Sequence, residues 1–243
     1  MTGSSVLFIA LVFVAAGFVK GVVGLGLPTV AMGLLGLVLP PADAAALLVV
    51  PALVTNLWQL ATGPRLAGLL RRLWVLLAGI CAGTWLGTWL FDGLASAGAS
   101  AALGAALAFY AALGLARIQL RVPARAEPAL SPAMGLVTGL VTAATGVFVV
   151  PAVPYLQAMD LAKAELVQAL GLSFTVSSAA LAAGLGATGN LPGAMIGASL
   201  LTLLPALLGM ALGQWAGARL DPARFRLCFL VGLLVLGLDL ARR

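Results

Sequence analysis

Long stretches without a single charge constrain this chain more than any other feature. They run Met1–Val19, Gly21–Ala42, Ala44–Pro64, Leu73–Phe91, Gly93–Ala116, Ala129–Met159 and Leu166–Ala218. A helix crosses the hydrocarbon core of a bilayer with about 20 apolar residues. Only 8% of the 243 residues are charged and 63% are hydrophobic, far more apolar surface than a soluble domain needs to bury. The chain reads as an all-α polytopic membrane protein. No basic n-region precedes the first run, so that run is expected to stay as a span.

The composition also excludes chemistry. There is no histidine, which removes histidine proton relays, imidazole metal sites and Ser-His catalysis. The spans carry no acid/base constellation, so no catalytic residues, no metal and no cofactor are expected, and an enzyme is disfavoured. Two cysteines, Cys81 and Cys228, lie in or beside apolar runs and read as small packing residues. The net charge of +6 comes from arginines in short connections. That distribution fits topology control rather than nucleic-acid binding.

The sequence repeats itself. "GICAGTWLGTWLFD" from Gly79 parallels "GMALGQWAGARLD" from Gly209, with Gly79, Gly83 and Gly87 matching Gly209, Gly213 and Gly217. "GFVKG" at Gly17 parallels "GLVTG" at Gly135, and Thr55 parallels Thr175. Two homologous halves follow, 1–118 and 129–243, joined by a polar linker at 119–128 that the basic residues around it place in the cytoplasm. Each half opens with a glycine-broken apolar segment, Val6–Leu39 or Leu130–Met159. Three simpler spans follow, at 44–62, 73–91 and 95–116, then at 164–186, 193–217 and 225–241.

The charges say how the halves are related. In the first half the connection between the second and third elements is basic (Arg65, Arg71, Arg72), and the next one, near Asp92, is not. In the second half "GLGATGNLPG" is uncharged and the following connection carries Arg219, Arg224 and Arg226. Equivalent connections on opposite sides are the mark of inverted-topology repeats. Inversion requires an odd number of crossings per half. Three spans already supply that, so the opening segment must cross an even number of times. Val6–Leu39 would be about 51 Å long as one helix, too long for a core of about 30 Å. Two short arms around the glycine cluster Gly21–Gly26, with Pro28, are expected. Each repeat is then a glycine-broken helical hairpin plus three transmembrane helices. Both termini would face outward, against which the terminal Arg242–Arg243 pair weighs.

The breaks are where function is expected. Irregular backbone at membrane depth persists only when buried in protein or lining a wet cavity. The N–H groups it frees, with the positive end of the next half-helix, suit an anion. Corresponding breaks in both halves point to a transporter site at the repeat interface. Lys20 is the one charge between Met1 and Ala42. A lysine at the bilayer centre costs about 2.5–3.5 kcal/mol on insertion scales. Either it snorkels to an interface, or it faces a cavity and supplies positive charge to an anionic substrate. The candidate substrate-binding set is Lys20, Gly24, Gly26, Thr55, Asn56, Gln59, Thr142, Thr145, Gly146, Ser173, Thr175 and Ser177. Any one hydroxyl here also fits bonding back to its own helix or across to a neighbour. Asp43, Asp160 and Glu165 fall at segment ends, where helix capping accounts for them.

In this order, "GFVKGVVGLGLP", "PPADAAALLVVPALVTNLWQ" and "GTWLGTWL", repeated as "GLVTGLVTAATG", "LAKAELVQALGLSFTVSS" and "GQWAGARL", resemble the TauE/SafE family of sulfite exporter-like permeases. The resemblance spans nearly the whole chain. It implies movement of sulfur-containing anions such as sulfite, sulfonates or sulfoacetate across a bacterial-type inner membrane. Where the family shows a fuller G-x-G-G at each break, this chain has "GLGLP" and "TAATG". The expected function is a secondary transporter, an exporter by this resemblance, working by alternating access. The alternatives are an anion channel-like conduit and a non-transporting membrane scaffold. Its partners are the small anion and the lipid bilayer, with no nucleic acid. A homodimer is one assembly open to it.

Overall fold

The computed structural model describes residues 3–90, 94, 96, 98–116 and 121–243. Asp92, Arg117 and the first two residues of the 119–128 linker lie outside them. The described residues form ten helices: α1 Gly3–Val23, α2 Leu27–Leu35, α3 Pro41–Ala61, α4 Leu66–Leu90, α5 Ala99–Leu115, α6 Glu127–Thr145, α7 Ala152–Ala158, α8 Lys163–Ala187, α9 Gly193–Gly217 and α10 Pro222–Ala241. Six of them, α1, α3, α4, α6, α8 and α9, are long and apolar enough to cross a membrane. The α5 helix is shorter, at 17 residues. The protein is an all-α polytopic membrane protein.

The solvent-facing logic of a soluble protein is turned inside out. Leu201, Leu204, Leu212, Val235 and all five tryptophans (Trp58, Trp74, Trp85, Trp89, Trp215) are exposed on the outside of the bundle. Lys20, Asn56, Thr55, Thr138, Thr142, Ser173 and Ser177 are buried within it. Hydrocarbon accepts large apolar side chains and leaves polar groups to find partners inside. The cysteines differ from expectation. Both are free thiols exposed on the outer surface rather than packing residues, a position that costs nothing against lipid.

Glycine sets the closest helix contacts. A Cβ on Gly17 would overlap the Ala206 carbonyl oxygen and lie 3.0 Å from the Met210 nitrogen; on Gly135 it would overlap the Leu76 oxygen and lie 3.0 Å from the Ile80 nitrogen. Likewise Gly213 abuts the Phe18 carbonyl and Gly83 the Leu136 carbonyl. Each contact between α1 and α9 thus has a counterpart between α6 and α4 at the sequence offsets of the repeat. Small residues let the backbones touch, and dispersion rather than water drives the packing.

The same contacts fix directions. Gly17 meets Ala206 and Met210 while Gly21 meets Met210 and Gln214, so α1 and α9 run parallel. By the same reading α6 and α4 run parallel. The matching helices α3 and α8 run antiparallel: Asn56 meets Ser178, and Gly63 meets Gln168. Arg72, Arg121 and Arg226 line one cavity, so the three basic segments share one face of the bundle. At the far end of α10, Arg243 donates to the Leu37 carbonyl oxygen at 3.1 Å.

The opening segments break where expected, but into unequal arms. The first has arms of 21 and 9 residues, the second of 19 and 7. At Gly24 and Gly26 φ is 80° and 113°, and at Gly146 it is 69°. An L side chain is strained there, and the chain reverses. Only the second arm in each half is too short to span.

Candidate functional site

Lys20 sits on the last turn of α1, one turn before the first break. It is 5% exposed. Its ammonium donates to Thr55 Oγ1 at 3.0 Å and to Asn56 Oδ1, both on α3. The Thr55 hydroxyl in turn donates to the Pro51 carbonyl at 2.7 Å. Pro51 lies inside α3 and lacks an N–H; the helical acceptor it frees, the Leu47 carbonyl oxygen, takes the Ser199 and Thr202 hydroxyls of α9. Asn56 Nδ2 reaches Ser178 Oγ on α8 at 3.4 Å. A polar chain therefore runs Lys20–Asn56–Ser178 across three helices. The Lys20 side chain turns into the bundle rather than out of it.

Among the described residues no carboxylate lies within ion-pair distance of Lys20. An ammonium has three donors, and Thr55 and Asn56 take two. The group is a buried amine with neutral partners and spare donor capacity.

The other candidates divide. Gln59 lies a turn further along α3, donating to the Val167 carbonyl at 3.0 Å. It lines a separate cavity of about 390 Å³ with Thr62, Gly63, Pro64 and Lys163. Ser173 and Ser177, one turn apart on α8, are buried hydroxyls without a partner among the described residues. Thr175 donates to the Gly171 carbonyl at 2.7 Å. On α6, Thr142 and Thr145 donate back to Thr138 and Val141 at 2.7 and 2.6 Å. These three hydroxyls satisfy the back-bonding alternative. The Gly24 and Gly146 N–H groups donate to the Lys20 and Thr142 carbonyls, each at 2.8 Å, and so are not free donors in this conformation. Gly26 caps the N-terminus of α2. Gly146 lies against the Met32 side chain of the same helix, so both breaks abut α2.

A second cavity, of about 1460 Å³, reaches from the basic face to Pro151 at the second break. The irregular backbone at 146–150 is itself buried in protein and only Pro151 reaches the cavity; burial in protein is what its survival at depth requires. At the mouth, Arg72 of α4 holds Glu127 of α6 bidentately at 2.9 and 2.5 Å. Ser131 and Tyr155 share a hydrogen bond of 2.7 Å across the second break. Neither pair was foreseen. The partners lie 55 and 24 residues apart and no local pattern joins them. The one available signal was Glu127, an acidic residue among linker arginines.

The sequence profile of the family described as Sulfite exporter TauE/SafE matches residues 9–240. The chain belongs to the sulfite exporter TauE/SafE family. The match takes in both breaks, Lys20, Thr55, Asn56 and the serines of α8. No curated protein and no solved structure matches the chain. Membership makes this a membrane transporter of a sulfite-exporter family, in line with its architecture.

Proposed function

We propose that this chain is a secondary transporter that exports small sulfur-containing anions, sulfite, sulfonates or sulfoacetate, across a bacterial-type inner membrane by alternating access. The observation that carries this reading is Lys20, a buried ammonium held by Thr55 and Asn56 with no carboxylate in ion-pair range among the described residues. An anion entering beside it would supply the missing counter-charge. Burying an unpaired charge is costly, so the site favours an anion over water. The unpartnered hydroxyls of Ser173 and Ser177 are further donors available on α8.

The halves 1–118 and 129–243 act as inverted repeats in this reading. The antiparallel run of α3 and α8, with matched glycine contacts at α1–α9 and α6–α4, supports that relation. So does the gathering of Arg72, Arg121 and Arg226 on one face, which the positive-inside rule assigns to the cytoplasm. One half rocking against the other would expose the site to each side in turn. Counterflow of a labelled sulfonate in proteoliposomes tests this. Saturable uptake accelerated by unlabelled anion on the other side is expected. Flux that rises without saturation would replace alternating access with a channel.

A further inference from the structure

The 1460 Å³ cavity has a composition that a small-anion path does not need. It exceeds the roughly 300–1,000 Å³ typical of sites that enclose a drug-sized ligand. Its walls are chiefly apolar, with Phe109 and Leu113 of α5, Leu130 of α6 and Leu227 of α10 among them. Phe109, Leu130 and Leu227 are well exposed although they line it, so the cavity is an open cleft between α5, α6 and α10 and not a closed chamber.

The charges lie at one end of it. Arg72 is neutralised by Glu127. Arg121 and Arg226 form no ion pair among the described residues. Asp160 also lines the cleft and opposes them in part. Two unpaired guanidinium groups beside an apolar, open cleft match one kind of molecule, an anion with a hydrocarbon tail. Basic pockets between membrane helices on the cytoplasmic side suit anionic lipid headgroups.

We propose that this cleft binds an anionic phospholipid, with its phosphate at Arg121 and Arg226 and an acyl chain along Phe109, Leu113, Leu130 and Leu227. The site is separate from Lys20, and its occupancy does not depend on what the protein carries. A bound lipid would also fill the wall beside α7, the short arm that leads away from the second break.

The purified full-length protein tests this by native mass spectrometry after titration with phosphatidylglycerol or with phosphatidylcholine. The parent should retain phosphatidylglycerol preferentially, and the preference should weaken as ionic strength rises. Each arginine beside an anionic headgroup is worth about fivefold in affinity. The variant Arg121→Gln/Arg226→Gln should therefore lose about 25-fold, whereas Arg71→Gln, outside the cleft, should match the parent. Leu130→Trp, which narrows the apolar part and keeps every charge, should lower retention as well. Equal retention of the two lipids by the parent would overturn the proposal. So would displacement of the lipid by millimolar free phosphate or sulfite, which would mark a site for small anions.

Discussion

Gly21 and Gly139 hold equivalent places, and adding one methyl group to each tests the paired architecture. A Cβ on Gly21 would overlap the Met210 carbonyl oxygen and lie 2.8 Å from the Gln214 nitrogen and 2.9 Å from Gly213 Cα. On Gly139 it would overlap the Ile80 oxygen and the Thr84 nitrogen and lie 2.7 Å from the Gly83 carbonyl carbon. Comfortable carbon contacts need about 3.5–4.0 Å, so the helices must separate by about 1 Å. Overpacking of this kind costs about 1–3 kcal/mol. The obstacle is backbone on the neighbouring helix, which places the cost near 3. Alanine returns about 1 kcal/mol in helix propensity, leaving a net loss of about 2 kcal/mol. For a chain of this length that lowers the unfolding midpoint by about 4–8 °C. Thermal unfolding in detergent micelles, followed by intrinsic tryptophan fluorescence, reads the shift. Gly232→Ala is the control, because nothing lies within 4 Å of its added Cβ; it should hold or slightly raise the midpoint. If Gly21→Ala and Gly139→Ala both unfold with the parent, or only one of them falls, the matched-contact argument fails.

Removing Arg72 strands the Glu127 carboxylate, so Arg72→Gln should cost about 1–3 kcal/mol, discounted from the 3–5 of a fully buried pair because Arg72 is a third exposed. Arg72→Gln/Glu127→Gln should recover most of that loss in the same unfolding assay. Gly146→Ala forces a side chain onto φ 69° and into Met32. It should lower stability as well, by about 1–3 kcal/mol. Once Cys81 and Cys228 are replaced by serine, an Arg226→Cys thiol should react with an impermeant maleimide only from the cytoplasmic side, and an Arg243→Cys thiol only from outside. Labelling both from one side would contradict the inverted arrangement. Asn56→Leu removes one of two acceptors on Lys20 and should weaken anion uptake while leaving the fold intact by circular dichroism.

Spans and breaks were legible because they depend on local sequence. The expected 193–217 span coincides with α9, and α3 starts earlier than expected because Pro41 suits the first turn of a helix. The glycine clusters marked the reversals because only glycine takes those dihedral angles freely. The lengths of the arms were not legible. Gly17 and Gly21 thin α1 without interrupting it, and only the left-handed pair Gly24 and Gly26 ends it. Lys20, Thr55 and Asn56 were each singled out, but their meeting depends on how α1 leans on α3, a tertiary fact. Thr142, Thr145 and Thr175 each bond back to their own helix, since an intrahelical carbonyl is always in reach of a threonine one turn on. The large cleft could not be foreseen, because it is assembled from α5, α6, α7 and α10 with residues more than 100 positions apart.

The central claim is that the Lys20 ammonium is the counter-charge of the transported anion. Its most direct measurement is saturable sulfonate uptake by proteoliposomes holding the parent, Lys20→Met or Lys20→Arg. A charge-assisted hydrogen bond is worth about 1.5–3 kcal/mol. Lys20→Met should therefore lose about ten- to a hundredfold in transport efficiency, with Lys20→Arg losing less. Uptake by Lys20→Met with the parent's rate and half-saturation would contradict the account.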